Sequence, residues 1–402
     1  MLEGIKIIEM ATYIAAPSAG GIMADWGADV IKIEPLSGCP MRKFYASAMT
    51  DDYPDNPVSA LDNRGKRAIA VNTGTDEGRE IVRKLVADAD VFLTNVRPGQ
   101  LKQQGLDFDT LSKINPKLVY ASVTGFGLQG EEADKPGFDT AAFNAKSGFG
   151  WIMTPKGAAP APLRTAAGDH ITGIATASGI LAALLKARDT GKGTLVESSL
   201  IRSAAYTVGC DYGTWLRYGR IARSRPRNEA IVAINNFYMT KDEYWLFING
   251  RPNEPDWPDV ARAVGREDLL EDERFGSLRD RRRNGVDLIA IMDEAFAKKT
   301  LAEWTPILNK AGLIWSPVQT FEQSFEDPQM HAAGVYVDMP KADGTSYKNI
   351  ASPIRFGDES TDPKGPLPEI GQHTMDVLEQ FGIDEETCEK YLEAGIIGQH
   401  KG

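Results

Sequence analysis

Residues 5–34 read IKIIEMATYIAAPSAGGIMADWGADVIKIE. Residues 5–9 and 30–34 are short Ile- and Val-rich runs of strand length. The segment between them is rich in Ala and Gly and is expected to be helical around residues 18–25. Strand, helix and strand within about thirty residues make a βαβ unit, which sets its two strands parallel in one sheet. The rhythm recurs along the chain. Strands are expected at 67–72 and 91–95, on either side of a helix over 75–89 whose Asp76 and Glu77 suit a helix N-terminus. Two more are expected at 118–124 and 195–199. The pattern predicts an α/β fold with an open, mostly parallel sheet.

Beyond residue 200 the pattern changes. Residues 202–227 read as a long helix running into the polar segment IARSRPRNEA, and short strands follow at 237–240 and 244–249. Helices containing Trp257 and Trp304 come next, then short β segments such as 334–339. Two short helices lie within 373–395, broken at Gly382. The expected organisation is a large domain begun by residues 1–200, a linker helix at 201–227, a smaller domain at 228–325 and a return segment at 326–402 that completes the large domain. A chain of 402 residues exceeds what one small core accommodates.

Composition narrows the function. A net charge of −11, with no basic run longer than Arg281-Arg282-Arg283, argues against nucleic acid. Charges within the first six residues argue against a signal peptide. The longest apolar stretch, 171–185, is diluted by Gly and Thr and reads as too short to span a bilayer. Cys39, Cys210 and Cys388 are scattered, which suits a reducing cytoplasm, and His170, His331, His373 and His400 give no metal-site spacing.

Candidate chemistry centres on residues 164–185, RTAAGDHITGIATASGILAALL. Small residues deliver Asp169 to the start of an apolar, small-residue-rich helix. Two readings of Asp169 stand together: a helix N-cap, and a carboxylate nucleophile held ionised by the positive helix end. Gly168 leaves room for a close approach. Gly125–Gly130 (GFGLQG) matches GxGxxG, but the acidic EEADKPG that follows is a loop rather than a helix, which argues against NAD. Asn95 and Arg97, at the end of a predicted strand, read either as an Asn-initiated turn with a surface Arg or as an amide and a phosphate-reaching cation. Ser198 and Ser199 lack a nucleophile elbow.

Taken in order, eight blocks resemble the family III CoA-transferases, the CaiB/BaiF family. They are LEGIKIIEM (2–10), ADWGADVIKIE (24–34), NRGKRAIAVN (63–72), TNVRPG (94–99), GFGLQG with KPGFD (125–139), GDHITGI (168–174), EDPQMHAAG (326–334) and IGQHTMDVLEQFGI (370–383). The resemblance implies a Rossmann-like large domain built from both chain ends, a smaller α+β domain and an interlocked homodimer. It implies coenzyme A thioesters as substrates, no permanently bound cofactor and no metal. Asp169 falls on the family nucleophile. By the same carry-over CoA lies along Ile14 and Ala15, Val71 and Asn72, Asn95, Val96 and Arg97, Gln103, and Phe138 and Asp139.

Some positions depart from the family pattern. Ile14 stands where Gln is frequent, the basic residue that some members carry near Gly74 is absent, and residues 231–256 hold no counterpart of the glycine-rich loop of formyl-CoA transferase. The racemase branch reads GHD where this chain reads Gly137-Phe138-Asp139, and phenylalanine cannot accept a proton. Within the transferases, the Tyr13–Pro17 turn (YIAAP), ADWGADVIKIE and Gly168-Asp169-His170 point to enzymes serving (R)-2-hydroxy acids such as phenyllactate or 2-hydroxyisocaproate. Their products go to a 2-hydroxyacyl-CoA dehydratase. Bile-acid or carnitine-type transferases, an α-methylacyl-CoA racemase and a non-catalytic CoA-binding protein are the alternatives.

Overall fold

The computed structural model describes residues 1–44 and 56–400. Contacts divide the chain into two units: residues 1–151, 161–221 and 331–402, and residues 152–160 with 222–330. The division therefore falls after residue 221 rather than 227, and after 330 rather than 325. The expected linker helix is two helices inside the first unit, Leu200–Thr207 and Gly209–Tyr218. The second of these stops at Gly219, whose φ of 67° ends the helix in a left-handed cap.

Among the described residues of the first unit, six parallel strands form the sheet: β1 (Lys6–Met10), β2 (Asp29–Glu34), β3 (Arg67–Val71), β4 (Val91–Thr94), β5 (Val119–Thr124) and β6 (Thr194–Ser199). Their order is β3-β2-β1-β4-β5-β6. A two-residue strand, Ile397–Gly398, pairs antiparallel with β3, setting Ile397 opposite Val71. The two ends of the chain thus meet in one sheet. The chain leaves β1 toward β2 on one side and returns at β4 on the other. That reversal opens a crevice at the carboxyl ends of β1 and β4, where open α/β sheets bind ligands.

Helices cover both faces: α1 (Ala15–Asp25), α2 (Pro57–Asn63), α3 (Asp76–Ala87), α4 (Pro98–Gln104), α5 (Phe108–Ile114), a short α6 (Phe149–Met153) and α7 (Ala167–Thr190). α3 begins as expected, with Thr75 Oγ1 accepting the Gly78 N–H at 3.0 Å. α1 is almost entirely buried and is built from small residues because three neighbours crowd it. A Cβ on Gly20 would stand 2.0 Å from Glu9 Oε2, and one on Gly21 would stand 2.7 Å from the Asp62 carbonyl. On α7, a Cβ at Gly173 would meet Ser18 Oγ at 2.0 Å. By length and composition α7 could cross a membrane, contrary to the expectation from residues 171–185. In this fold its buried face, including Thr172, Gly173, Thr176 and Ile180, belongs to the core it shares with α1 and the sheet.

Beneath α1 lies a buried ionic knot. Glu9, on β1, accepts hydrogen bonds from Lys32 and Lys66, each at 2.7 Å, and all three residues are buried. Lys66 also donates to the Pro17 carbonyl of α1 and to Asn63 Oδ1. Burial pushes the Lys66 ammonium down to about 8, with Glu9 opposing the shift.

The second unit carries its own core. Its three-stranded antiparallel sheet comprises Asn235–Met239, Trp245–Asn249 and Trp315–Pro317. Tyr238 stacks on Phe296 with ring centroids 4.9 Å apart, and Trp304 packs on the same ring.

Candidate active site

The site forms where β1 and β4 end. Two turns leave these strands, and one side chain fastens them together. Asn95 Oδ1 accepts the Thr12 N–H at 3.0 Å, and Asn95 Nδ2 donates to the Thr12 carbonyl at 2.6 Å. The amide that sequence reading offered to a ligand is thus used in joining the two turns. Tyr13 follows with φ +58°, a left-handed conformation a side chain rarely adopts, at the lip of the crevice.

The crevice holds two adjoining cavities that share Thr12, Asn95 and Arg97. One, of about 210 Å³, is lined by Tyr13, Ile14, Ala15, Gly125, Phe138 and Asp169 among others. The other, of about 590 Å³, is lined by Glu34, Val71, Asn72, Thr73, Val96 and Gln104 among others. The exposed Arg97 guanidinium borders both, and Ala15, the first residue of α1, lines the first.

Eight of the CoA-contact candidates therefore converge: Ile14, Ala15, Val71, Asn72, Asn95, Val96, Arg97 and Phe138. Gln103 does not. It is exposed and lines neither cavity, whereas Gln100 and Gln104, four residues apart on one face of α4, line the second. Gln104 Oε1 is buried and has no hydrogen-bond partner among the described residues. Asp139 lies buried beside the cavity rather than in its lining. Asp139 Oδ2 accepts the Gly168 N–H of α7 at 3.3 Å, and Oδ1 accepts the Thr140 N–H.

Asp169 is not an N-cap. It is the third residue of α7, and the N-cap is Ala166 with φ +68°. The capping carboxylate comes instead from Asp139, thirty residues earlier. The close approach that Gly168 permits is made by protein side chains: a Cβ there would lie 2.6 Å from Phe143 Cγ and 3.0 Å from Asp139 Cβ. Burial pushes the Asp169 carboxyl up to about 7, the Asp139 carboxylate adds to the shift, and His170 opposes it. The sequence reading has the positive helix end hold this group ionised; here burial and Asp139 oppose ionisation.

Phe138 is largely exposed, and its ring meets Tyr13 edge-to-face with centroids 5.1 Å apart, so two aromatic side chains flank the cavity that holds Asp169. Sequence reading missed Thr12, Tyr13, Gln104 and Lys135 as lining residues. The helical phase from Gln100 would have favoured Gln104 over Gln103. The GFGLQG segment passes into turns and not into a helix.

Residues 2–374 match the sequence model of CoA-transferase family III. The chain belongs to that family. This family III CoA-transferase is 34% identical to (R)-2-hydroxy-4-methylpentanoate CoA-transferase of Clostridioides difficile, over 99% of each chain. It is 35% identical to cinnamoyl-CoA:phenyllactate CoA-transferase of Clostridium sporogenes, over 97% of this chain and 95% of the relative. Among solved structures it resembles a CaiB/BaiF family protein from Brucella suis, with a TM-score of 0.82 and 28% identity over 94% and 98% of the two chains. The enzyme is a CoA-transferase, and CoA thioesters are its substrates.

Proposed function

We propose that this enzyme moves CoA from an acyl- or enoyl-CoA donor to an (R)-2-hydroxy acid through covalent intermediates on Asp169. One observation carries the reading: Asp169 lines the crevice at the strand reversal, beside the first turn of α1. An Asp169 oxygen attacks the donor's acyl carbon, the C–S bond breaks, and a mixed anhydride and CoA thiolate result. The thiolate attacks the Asp169 carbonyl and expels the donor's carboxylate, leaving an aspartyl-CoA thioester. The acceptor carboxylate attacks that thioester and releases the thiolate. The thiolate then takes the new acyl group and frees Asp169. No net proton moves, so a carboxylate suffices as nucleophile. N–H groups at the start of α1 would stabilise the tetrahedral oxyanions, and Arg97 would meet a CoA phosphate.

The names of the two relatives above support the 2-hydroxy acid. Tyr13 and Phe138 suit an aromatic or branched acyl chain beside Asp169. The 2-hydroxyacyl-CoA would then serve a dehydratase, in a reducing cytoplasm consistent with three free cysteines. An interlocked homodimer belongs to the same reading, favoured by the exposed Tyr206, Leu216 and Tyr218 along 200–218.

The test is intact-protein mass after mixing with cinnamoyl-, isocaproyl- or acetyl-CoA and trapping with hydroxylamine or borohydride. A CoA-sized adduct or its trapped product on Asp169 supports the reading. No adduct with any donor, together with deuterium exchange at the acyl α-carbon, would mean racemisation instead.

A further inference from the structure

Next to Asp169 on α7 stands a histidine–aspartate pair that the transfer steps do not use. His170 Nε2 lies 3.1 Å from Asp62 Oδ1, joining α7 to α2 across 108 residues of sequence. While the His170 side chain is 36% exposed, that of Asp62 is only 4% exposed. Its second oxygen, Oδ2, is buried with no hydrogen-bond partner among the described residues. The backbone that carries Asp62 packs closely on α1, where a Cβ on Gly21 would stand 2.7 Å from the Asp62 carbonyl oxygen. The pair therefore joins a buried aspartate to a half-buried imidazole.

The surrounding charges make the pair consequential. The charges of Asp62, Asp169 and Asp139 all favour the protonated form of His170. Other cations nearby are already engaged. Arg64, which borders the same small crevice as His170, is clamped by Asp25 and donates to the Ile350 carbonyl. Lys66 is held by Glu9, the Pro17 carbonyl and Asn63.

We propose that Asp62 holds His170 as an imidazolium, and that this pair is the counter-charge that keeps Asp169 available as a carboxylate. The proposal rests on Asp169 being the nucleophile. His170 is then a positioning residue that acts through Asp169, and Asp62 acts through His170. The electrostatics agree in direction. Burial alone would push the imidazole down, but the hydrogen bond and charge of Asp62, with Asp169 and Asp139, outweigh it and leave His170 raised. His170 in turn pulls Asp169 downward, against burial and Asp139.

Two measurements test this. The chain has four histidines, so the His170 imidazole resonance is the one missing from His170→Gln. In an NMR titration it should have its midpoint above the ordinary value of about 6.5 and drop when Asp62→Asn removes the partner. In pH profiles of kcat/KM for an acyl-CoA donor, His170→Gln should move the acidic limb upward by about one pH unit. That is roughly a tenfold loss at pH 6 with near-parental rates at pH 9. His170→Lys, which keeps a cation, should move the limb back toward its original position.

A His170 midpoint at or below the ordinary value overturns the proposal, as does a loss equal at every pH or an unmoved limb in a folded variant. Wild-type enzyme that turns over but forms no adduct on Asp169 overturns the nucleophile reading itself, which the NMR titration does not depend on.

Discussion

Asp169 stands under two opposing demands. A nucleophile must be ionised, yet burial and Asp139 favour the protonated carboxyl and push it up to about 7. An unfolded aspartate titrates near 3.9. Between about pH 4 and 7 the native state therefore binds more protons than the unfolded state, and this residue's contribution to stability falls as pH rises. Asp169→Asn removes that penalty. Its Tm should exceed the parent's at pH 8, by the equivalent of about 2–4 kcal/mol, and match it near pH 4, while the CoA adduct disappears. Equal Tm differences at both pH values, measured by calorimetry, would show that the carboxyl is not perturbed. Residue type and position suggested a cap for Asp169; only the fold shows that Asp139 takes that role.

At the scale of elements, the site depends on two junctions. The first is the turn-to-turn clasp of Asn95 with Thr12. Asn95→Ala removes both hydrogen bonds and leaves two backbone groups needing partners, a loss of about 1–3 kcal/mol. KM for the CoA substrate should rise more than kcat falls, because both cavities share this wall; steady-state kinetics and urea unfolding check the two effects. The second junction is the start of α7. Gly168→Val would drive a side chain into Phe143 and Asp139. Overpacking of this kind costs about 1–3 kcal/mol, and transfer should fall because the start of α7 that carries Asp169 must shift. Unchanged turnover and urea midpoint would show that the junction yields freely. The strands were legible because buried parallel strands are continuous apolar runs, as in VFLT of β4. The helix expected over 202–227 was not. Its exposed residues carry little periodic signal, and a glycine stops the chain at 219.

For the whole molecule, the carboxyl-terminal segment completes what the amino-terminal half begins. Strand 397–398 covers the edge of β3, Thr374 Oγ1 accepts the Ala70 N–H, and His373 Nδ1 accepts the Ala68 N–H. Truncation after residue 372 would expose that edge and the apolar face that Val377, Leu378 and Ile397 help bury. The shortened chain should melt lower and aggregate, which light scattering during a thermal ramp would register; a soluble chain with the parental Tm would contradict this account. By itself the sequence determined the α/β class and the positions of the strands, because hydrophobic period and turn chemistry are local. Its ordered blocks also determined the family. Only the tertiary structure decided the strand order, which depends on pairings between distant segments. It likewise decided that Asn95 is a clasp, that Gln104 rather than Gln103 borders a cavity, and that Asp62 meets His170. Each of those facts is a contact or an orientation in space, set by how α1, α2, α4 and α7 pack on the sheet.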